Sequence, residues 1–138
     1  MSTTQDVIKK FRETVRRLQL IEKGDSVIIA LSGGPDSVVL THLLKRLEKE
    51  QALQLFAVHI NHKLRGRESD QEAVWVKKFC KKLNLPCEVI PLEWSSSKKR
   101  NLQEVAREKR YEKLFEMAVR FRATKIATAH HADDQLET

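Results

Sequence analysis

Residues Ser26-Val27-Ile28-Ile29-Ala30-Leu31 run directly into Ser32-Gly33-Gly34-Pro35-Asp36-Ser37, and this junction restricts the fold more than any other stretch of the chain. The first six residues are short, β-branched and almost wholly apolar, the pattern of a parallel strand covered on both faces. The two glycines that follow let backbone N–H groups approach a ligand closely. Pro35 suits the first turn of a helix, because its missing N–H would have had no intrahelical partner there. Val38, Leu40, Leu43, Leu44 and Leu47 then carry the helical period.

The same alternation continues downstream. Leu53 to His59 reads as a second strand, and a polar loop leads to a helix containing Ala73, Val74, Val76, Phe79 and Cys80. After the Asn84-Leu85-Pro86 break, Cys87 to Ile90 forms a third strand. An exposed, basic loop covers residues 93–100, a helix spans Leu102 to Arg120, and Lys125 to Ala129 supplies a fourth strand. Strands that alternate with helices demand crossovers, so the predicted fold class is α/β: a doubly wound, mostly parallel sheet with helices on both faces and ligands at the strands' carboxyl ends. Ahead of it, Val7, Ile8, Phe11, Val15 and Leu18 mark an amphipathic helix over residues 1–20, leaving 21–138 as one domain.

The apolar runs are far shorter than the roughly 20 residues of a membrane span. The N-terminus lacks a secretory signal, so a cytoplasmic location without membrane contact is expected. Cys80 and Cys87 match neither a zinc pair nor a redox motif and are expected to be packing residues.

The Ser32–Ser37 turn has the makings of an anion site: N–H groups, a helix N-terminus, and the Ser32 and Ser37 hydroxyls. It lacks the Lys of the Gly-x-x-x-x-Gly-Lys-Ser/Thr loop, which argues against a simple γ-phosphate hydrolase, and it is not the dinucleotide fingerprint. Asp36 would repel a phosphate unless a cation intervened, and Mg²⁺ would resolve that conflict. The net charge of +7 favours a polyanionic partner, with Lys63, Arg65, Arg67 and the Lys98-Lys99-Arg100 run as candidate phosphate contacts. A merely soluble basic surface accounts for the same charge.

Three further strings carry chemistry. After the second strand comes His59-Ile60-Asn61-His62-Lys63-Leu64-Arg65-Gly66, followed by Ser69 and Asp70. Later come Glu104-Val105-Ala106-Arg107-Glu108-Lys109-Arg110-Tyr111 and Ala127-Thr128-Ala129-His130-His131-Ala132-Asp133-Asp134-Gln135-Leu136-Glu137-Thr138. His59, His62, His130 and His131 lack the i, i+4 pairing of a zinc hydrolase and are expected at adjacent strand ends, hydrogen-bonding a nucleotide. Asp133 and Asp134 either cap the following helix or share the cleft of Asp36. Arg107 and Arg110 lie on one helix face, with Tyr111 and Leu114 on another.

With the turn, these strings in this order resemble the tRNA(Ile)-lysidine synthetases of the PP-loop ATPase superfamily, over roughly residues 20 to 138. The resemblance implies an adenine nucleotide alpha hydrolase-like (PP-loop) fold, with ATP and Mg²⁺, and ATP-dependent ligation of free lysine to the wobble cytidine of isoleucine tRNA through an adenylated intermediate. Ser32, Gly33, Gly34, Pro35, Asp36, Ser37, His59 and His62 would bind the nucleotide, and Asp36 and Asp134 would hold Mg²⁺. Arg110 would stabilise charge at the α-phosphate, so Asp36, Arg110 and Asp134 are the expected catalytic residues.

A tRNA thiolase with the same loop would need a cysteine to carry sulfur, and Cys80 and Cys87 fall at a helix end and a strand start. A non-catalytic RNA-binding module would leave Asp36 and the Asp133-Asp134 pair without purpose. Members of the resembled family continue past that pair, so a shortened nucleotide-binding part is expected. An unpaired sheet edge at Lys125 to Ala129 would favour self-association into a homodimer.

Overall fold

The computed structural model describes residues 20–61, 66–92 and 102–129, together with helical residues Asp6, Lys9 and Lys10. The remainder of the expected N-terminal helix, the loop expected over residues 93–100 and the stretch from His130 onward lie outside the described residues. The elements run β1 (Ser26–Ala30), α1 (Pro35–Leu47), β2 (Gln54–Asn61), α2 (Arg67–Lys82), β3 (Cys87–Pro91), α3 (Leu102–Arg120) and β4 (Lys125–Thr128). The four strands form one sheet in the order β3-β2-β1-β4. Every pairing in it is parallel.

The apolar run of β1 is explained by its neighbours. Val27, Ile29 and Leu31 join a core with Leu40, Leu44 and Leu47 of α1 and Val76 and Cys80 of α2. Ile28 points the other way, into a second core with Leu114 and Met117 of α3. Successive strand residues thus enter opposite layers, as the two-residue period of a strand requires. The partner strands keep the same parity: Ile29 pairs with Ala57 and Ala127, and both enter the α1 and α2 layer. Two crossovers step outward through α1 and α2 on one face, and α3 returns across the other face to bring β4 beside β1. A constant crossover hand produces this change of face when the direction of strand addition reverses.

The helices leave the sheet by a common device. Among the described residues, Ala52, Asn84 and Arg122 are the non-glycine residues with positive φ, at 50°, 53° and 54°. Each precedes a residue whose N–H reaches back five positions: Leu53 to Glu48 O at 2.9 Å, Leu85 to Cys80 O at 2.9 Å, and Ala123 to Ala118 O at 2.8 Å. This is the Schellman arrangement, a left-handed residue followed by one that turns inward. Leu53 and Leu85 are buried, so hydrophobic contact holds each exit at the angle that feeds the next strand. At the same end of the sheet, the buried Asp25 accepts hydrogen bonds from Glu22 N–H at 2.7 Å and the Thr124 hydroxyl at 2.9 Å, tying β1 to the approach of β4.

An alanine in the left-handed region carries a steric cost that glycine does not. Ala52→Gly is therefore expected to raise unfolding stability by about 0.5–1 kcal/mol, the relief of strain outweighing the added chain entropy. Urea denaturation of both chains measures the difference, and a loss of stability would assign Ala52 a packing role.

Candidate functional site

A cavity of about 630 Å³ opens at the carboxyl ends of the strands. Its walls come from Ala30 to Gly34 after β1, Val58 to Asn61 of β2, Ser69 and Glu72 of α2, Arg110 of α3 and Ala129 beyond β4. The chain departs from β1 toward one side of the sheet and returns to β4 on the other, so no crossover fills the space between them. That reversal is where open α/β sheets hold their ligands.

The turn after β1 is held from within. The buried Ser37 hydroxyl accepts a hydrogen bond from Ser32 N–H at 3.1 Å, and it donates to Ser32 O at 2.6 Å with Gly34 O at 3.2 Å. Ser32 Oγ lies 3.0 Å from Ser37 Oγ and accepts from Gly34 N–H at 3.3 Å. Thr41, one turn further along α1, donates to Ser37 O at 2.7 Å. Gly33 N–H donates to Glu72 Oε1 at 2.7 Å. A Cβ on Gly33 would lie 2.7 Å from Glu72 Cγ, so only glycine permits this approach without a shift.

Across the cavity, the buried His59 bonds through Nδ1 to Leu31 O at 2.8 Å. A carbonyl only accepts, so Nδ1 carries the hydrogen and the ring ties the end of β2 to the end of β1. Asn61 donates to Asp70 Oδ1 at 3.1 Å, joining β2 to the first turn of α2. Gly66, at φ 57° and ψ −113°, opens that helix in a backbone conformation reserved largely for glycine. Arg110 is half-buried, its Nε lacks a hydrogen-bond partner among the described residues, and its guanidinium carbon lies 5.6 Å from the Tyr111 ring centroid. A buried N–H without an acceptor is costly, and the residue that carries it contributes to the cavity lining.

The sequence-predicted residues divide into three groups. Ser32, Gly33, Gly34, His59 and Arg110 line the cavity together. Pro35, Asp36 and Ser37 form the first turn of α1. Ser37 turns its hydroxyl into the loop, whereas Asp36 is exposed at the helix N-terminus, where a carboxylate is favoured by the helix dipole. His62 and Asp134 lie outside the described residues, as do Lys63, Arg65, Lys98, Lys99, Arg100, His130, His131 and Asp133.

Arg107 and Arg110 both stand over Tyr111, with Arg107 5.7 Å from its centroid, so the expected separation of the two arginines from Tyr111 does not hold in the folded helix. Sequence reasoning missed Glu72, which nothing in the acidic stretch at the start of α2 distinguishes until the fold sets it over Gly33. The cysteines belong to the apolar layer: Cys80 is buried and Cys87 packs against the same core. A hydrogen bond between them raises the Cys80 pKa and lowers that of Cys87, and neither thiol lines the cavity.

Fold and site define a class, a doubly wound α/β domain with a glycine-rich turn at its topological switch point. The chain belongs to the PP-loop domain family, whose model matches residues 3–138. It is 37% identical to the tRNA(Ile)-lysidine synthase of Clostridioides difficile (strain 630), over 96% of this chain and 29% of that protein. It is 39% identical to the tRNA(Ile)-lysidine synthase of Geobacillus kaustophilus (strain HTA426), again over 96% of this chain and 29% of the relative. With the tRNA(Ile)-lysidine synthase of Clostridium tetani the identity is 41%, over 91% of this chain and 27% of the relative. The chain thus spans less than a third of these relatives' length. Among solved structures, the U34-tRNA thiolase NcsA from Methanococcus maripaludis with its 4Fe–4S cluster superposes with a TM-score of 0.80 at 21% identity, over 94% of this chain and 47% of that one. That likeness bears on the fold alone.

Because Ser37 is buried and its hydroxyl satisfies Ser32 N–H, Ser37→Ala leaves a donor without its partner. Such a loss costs about 1–3 kcal/mol. Chemical denaturation should show a decrease in that range, and an unchanged midpoint would mean that solvent replaces the hydroxyl.

Proposed function

We propose that this chain is the ATP-binding part of a tRNA(Ile)-lysidine synthase, in which ATP activates a tRNA cytidine that lysine then attacks. The observation that carries the reading is that the Ser32–Gly34 turn and Arg110 line one cavity. The relatives' names point the same way, and a cavity of about 630 Å³ is of a size that suits a nucleotide.

In this reading the turn binds the pyrophosphate end of ATP through backbone N–H groups and the Ser32 hydroxyl, with α1 adding its N-terminal dipole. Ser37 keeps the turn in shape from beneath. Arg110, in the lining of the same cavity, stabilises the charge that develops at the α-phosphate with its guanidinium. The cytidine oxygen bonds to the α-phosphorus as the bond to pyrophosphate breaks, and the lysine amine afterwards displaces AMP from the base. His59, held by Leu31 O, and His62 border the nucleotide. An exposed carboxylate in the first turn of α1 fits Mg²⁺, which takes one or two carboxylates together with substrate phosphates, so Asp36 and Asp134 would hold it. When bound, Mg²⁺ neutralises phosphate charge that Asp36 would otherwise repel. Asp134 is also the proposed partner of an ammonium group.

Isoleucine tRNA, free lysine and ATP are the proposed partners, with the basic residues Lys63, Arg65 and Arg67 contacting RNA phosphate. The polar lining leaves the thiolase reading without a thiol from this chain in the cavity. No helix among the described residues is long and apolar enough to cross a membrane.

Two variants test the assignment. Arg110→Ala should lower tRNA-dependent pyrophosphate release by about 100-fold or more while ATP affinity changes little, since its contribution is to the transition state. Asp36→Ala should remove the Mg²⁺ dependence of ATP binding, read by titration with and without the cation. Pyrophosphate release that requires a sulfur donor instead of lysine would replace the lysidine reading with the thiolase one.

A further inference from the structure

Among the described residues, Glu72 is the carboxylate that hydrogen-bonds the turn. Its Oε1 accepts a hydrogen bond from Gly33 N–H at 2.7 Å, and its side chain forms part of the cavity wall. The length of that bond is typical of a charge-assisted contact. An anion from within the chain therefore occupies a donor of the loop whose composition and position suit an external anion.

The approach is built in by packing. Ala73 and Val76 of α2 are buried against the sheet, and Phe79 meets His42 of α1 edge to face with centroids 5.3 Å apart. These contacts set α2 beside α1, with Glu72 over the start of α1. On the other side of the contact, the bare Cα of Gly33 leaves the space that Glu72 fills. Glu72 itself is exposed, so its side chain can swing toward solvent without disturbing the core.

We propose that Glu72 is a displaceable internal ligand of the phosphate turn, which the pyrophosphate portion of the nucleotide must expel in order to bind. The inference rests on the phosphate-turn reading above and adds to it a residue that sets the affinity threshold of the site. A carboxylate and a phosphate cannot share one N–H donor, and their like charges repel at hydrogen-bonding distance. Apparent affinity for any phosphate ligand is then the intrinsic affinity reduced by the fraction of chains in which Glu72 has swung out. A ligand without phosphates does not meet this competition.

The test uses the 138-residue chain with ATP, inorganic pyrophosphate and adenosine as probes, against Glu72→Ala and Glu72→Gln. Removing the carboxylate should tighten ATP and pyrophosphate binding about threefold to tenfold, while adenosine affinity stays within about twofold. In the free chain, the Gly33 amide proton should resonate downfield and move upfield in Glu72→Ala, an effect on the contact itself that a general loss of structure would not confine to one residue. The proposal is overturned if the Gly33 amide does not move, or if ATP and pyrophosphate bind the variants no more tightly than the original chain. Weaker binding of Mg²⁺-loaded ATP to both variants, with adenosine unchanged, would also overturn it by showing that Glu72 assists the nucleotide. These failures are separable from failure of the underlying reading. If ATP still outbinds adenosine to the same degree with and without Glu72, only the displacement idea falls. If ATP and adenosine bind equally even in Glu72→Ala, the turn makes no phosphate contact and both fall.

Discussion

The structure depends on the burial of β1 from both sides. Its side chains alternate between the layer of α1 and α2 and the layer of α3, and its backbone is paired on both edges, with β2 and β4. A strand so enclosed has no tolerance for polar side chains in its middle, which is why Val27, Ile28 and Ile29 are essentially inaccessible. It also delivers the chain to one defined point between the two layers. The turn there leads straight into α1, whose own packing is anchored by Leu40 and Leu44. The position of the glycine-rich loop is thus a consequence of core packing on either side of a single strand.

A loop in that position faces an electrostatic problem that the side chains of the turn partly solve. Ser37 satisfies Ser32 N–H from inside, and Ser32 satisfies Gly34 N–H. Gly33 takes its acceptor from another helix. The turn is thus satisfied partly by its own hydroxyls and partly by an exposed side chain of α2. Arg110 adds a cation to the lining of the same cavity, and its Nε is buried without a hydrogen-bond partner among the described residues.

The fold is shared with a tRNA thiolase at 21% identity. A common fold places a glycine-rich turn and the neighbouring strand ends in one cavity, whereas the reaction is decided by the side chains added there. In this chain both cysteines are committed to the apolar layer beneath the sheet, at the end of α2 and the start of β3. Neither thiol lines the cavity.

Much of this architecture was legible in the residues alone. The β-branched run of β1 and the proline opening α1 mark strand and helix locally, and the predicted helix from Leu102 to Arg120 coincides with α3. The predicted β2 stopped at His59, two residues short of Asn61, because Ile60 and Asn61 begin a polar-looking string whose pairing with β3 only the sheet supplies. Ser32, Gly33, Gly34, His59 and Arg110 were identifiable from composition, order and family resemblance, and they meet at one cavity because a parallel sheet gathers its strand ends on one side. What the residues could not disclose was a relation between elements distant in the chain, the reach of Glu72 to Gly33. The physical reason is one of range. Propensity and periodicity act over a few residues and so are written locally, whereas a hydrogen bond spanning 39 positions exists only after packing has chosen which helix faces which loop.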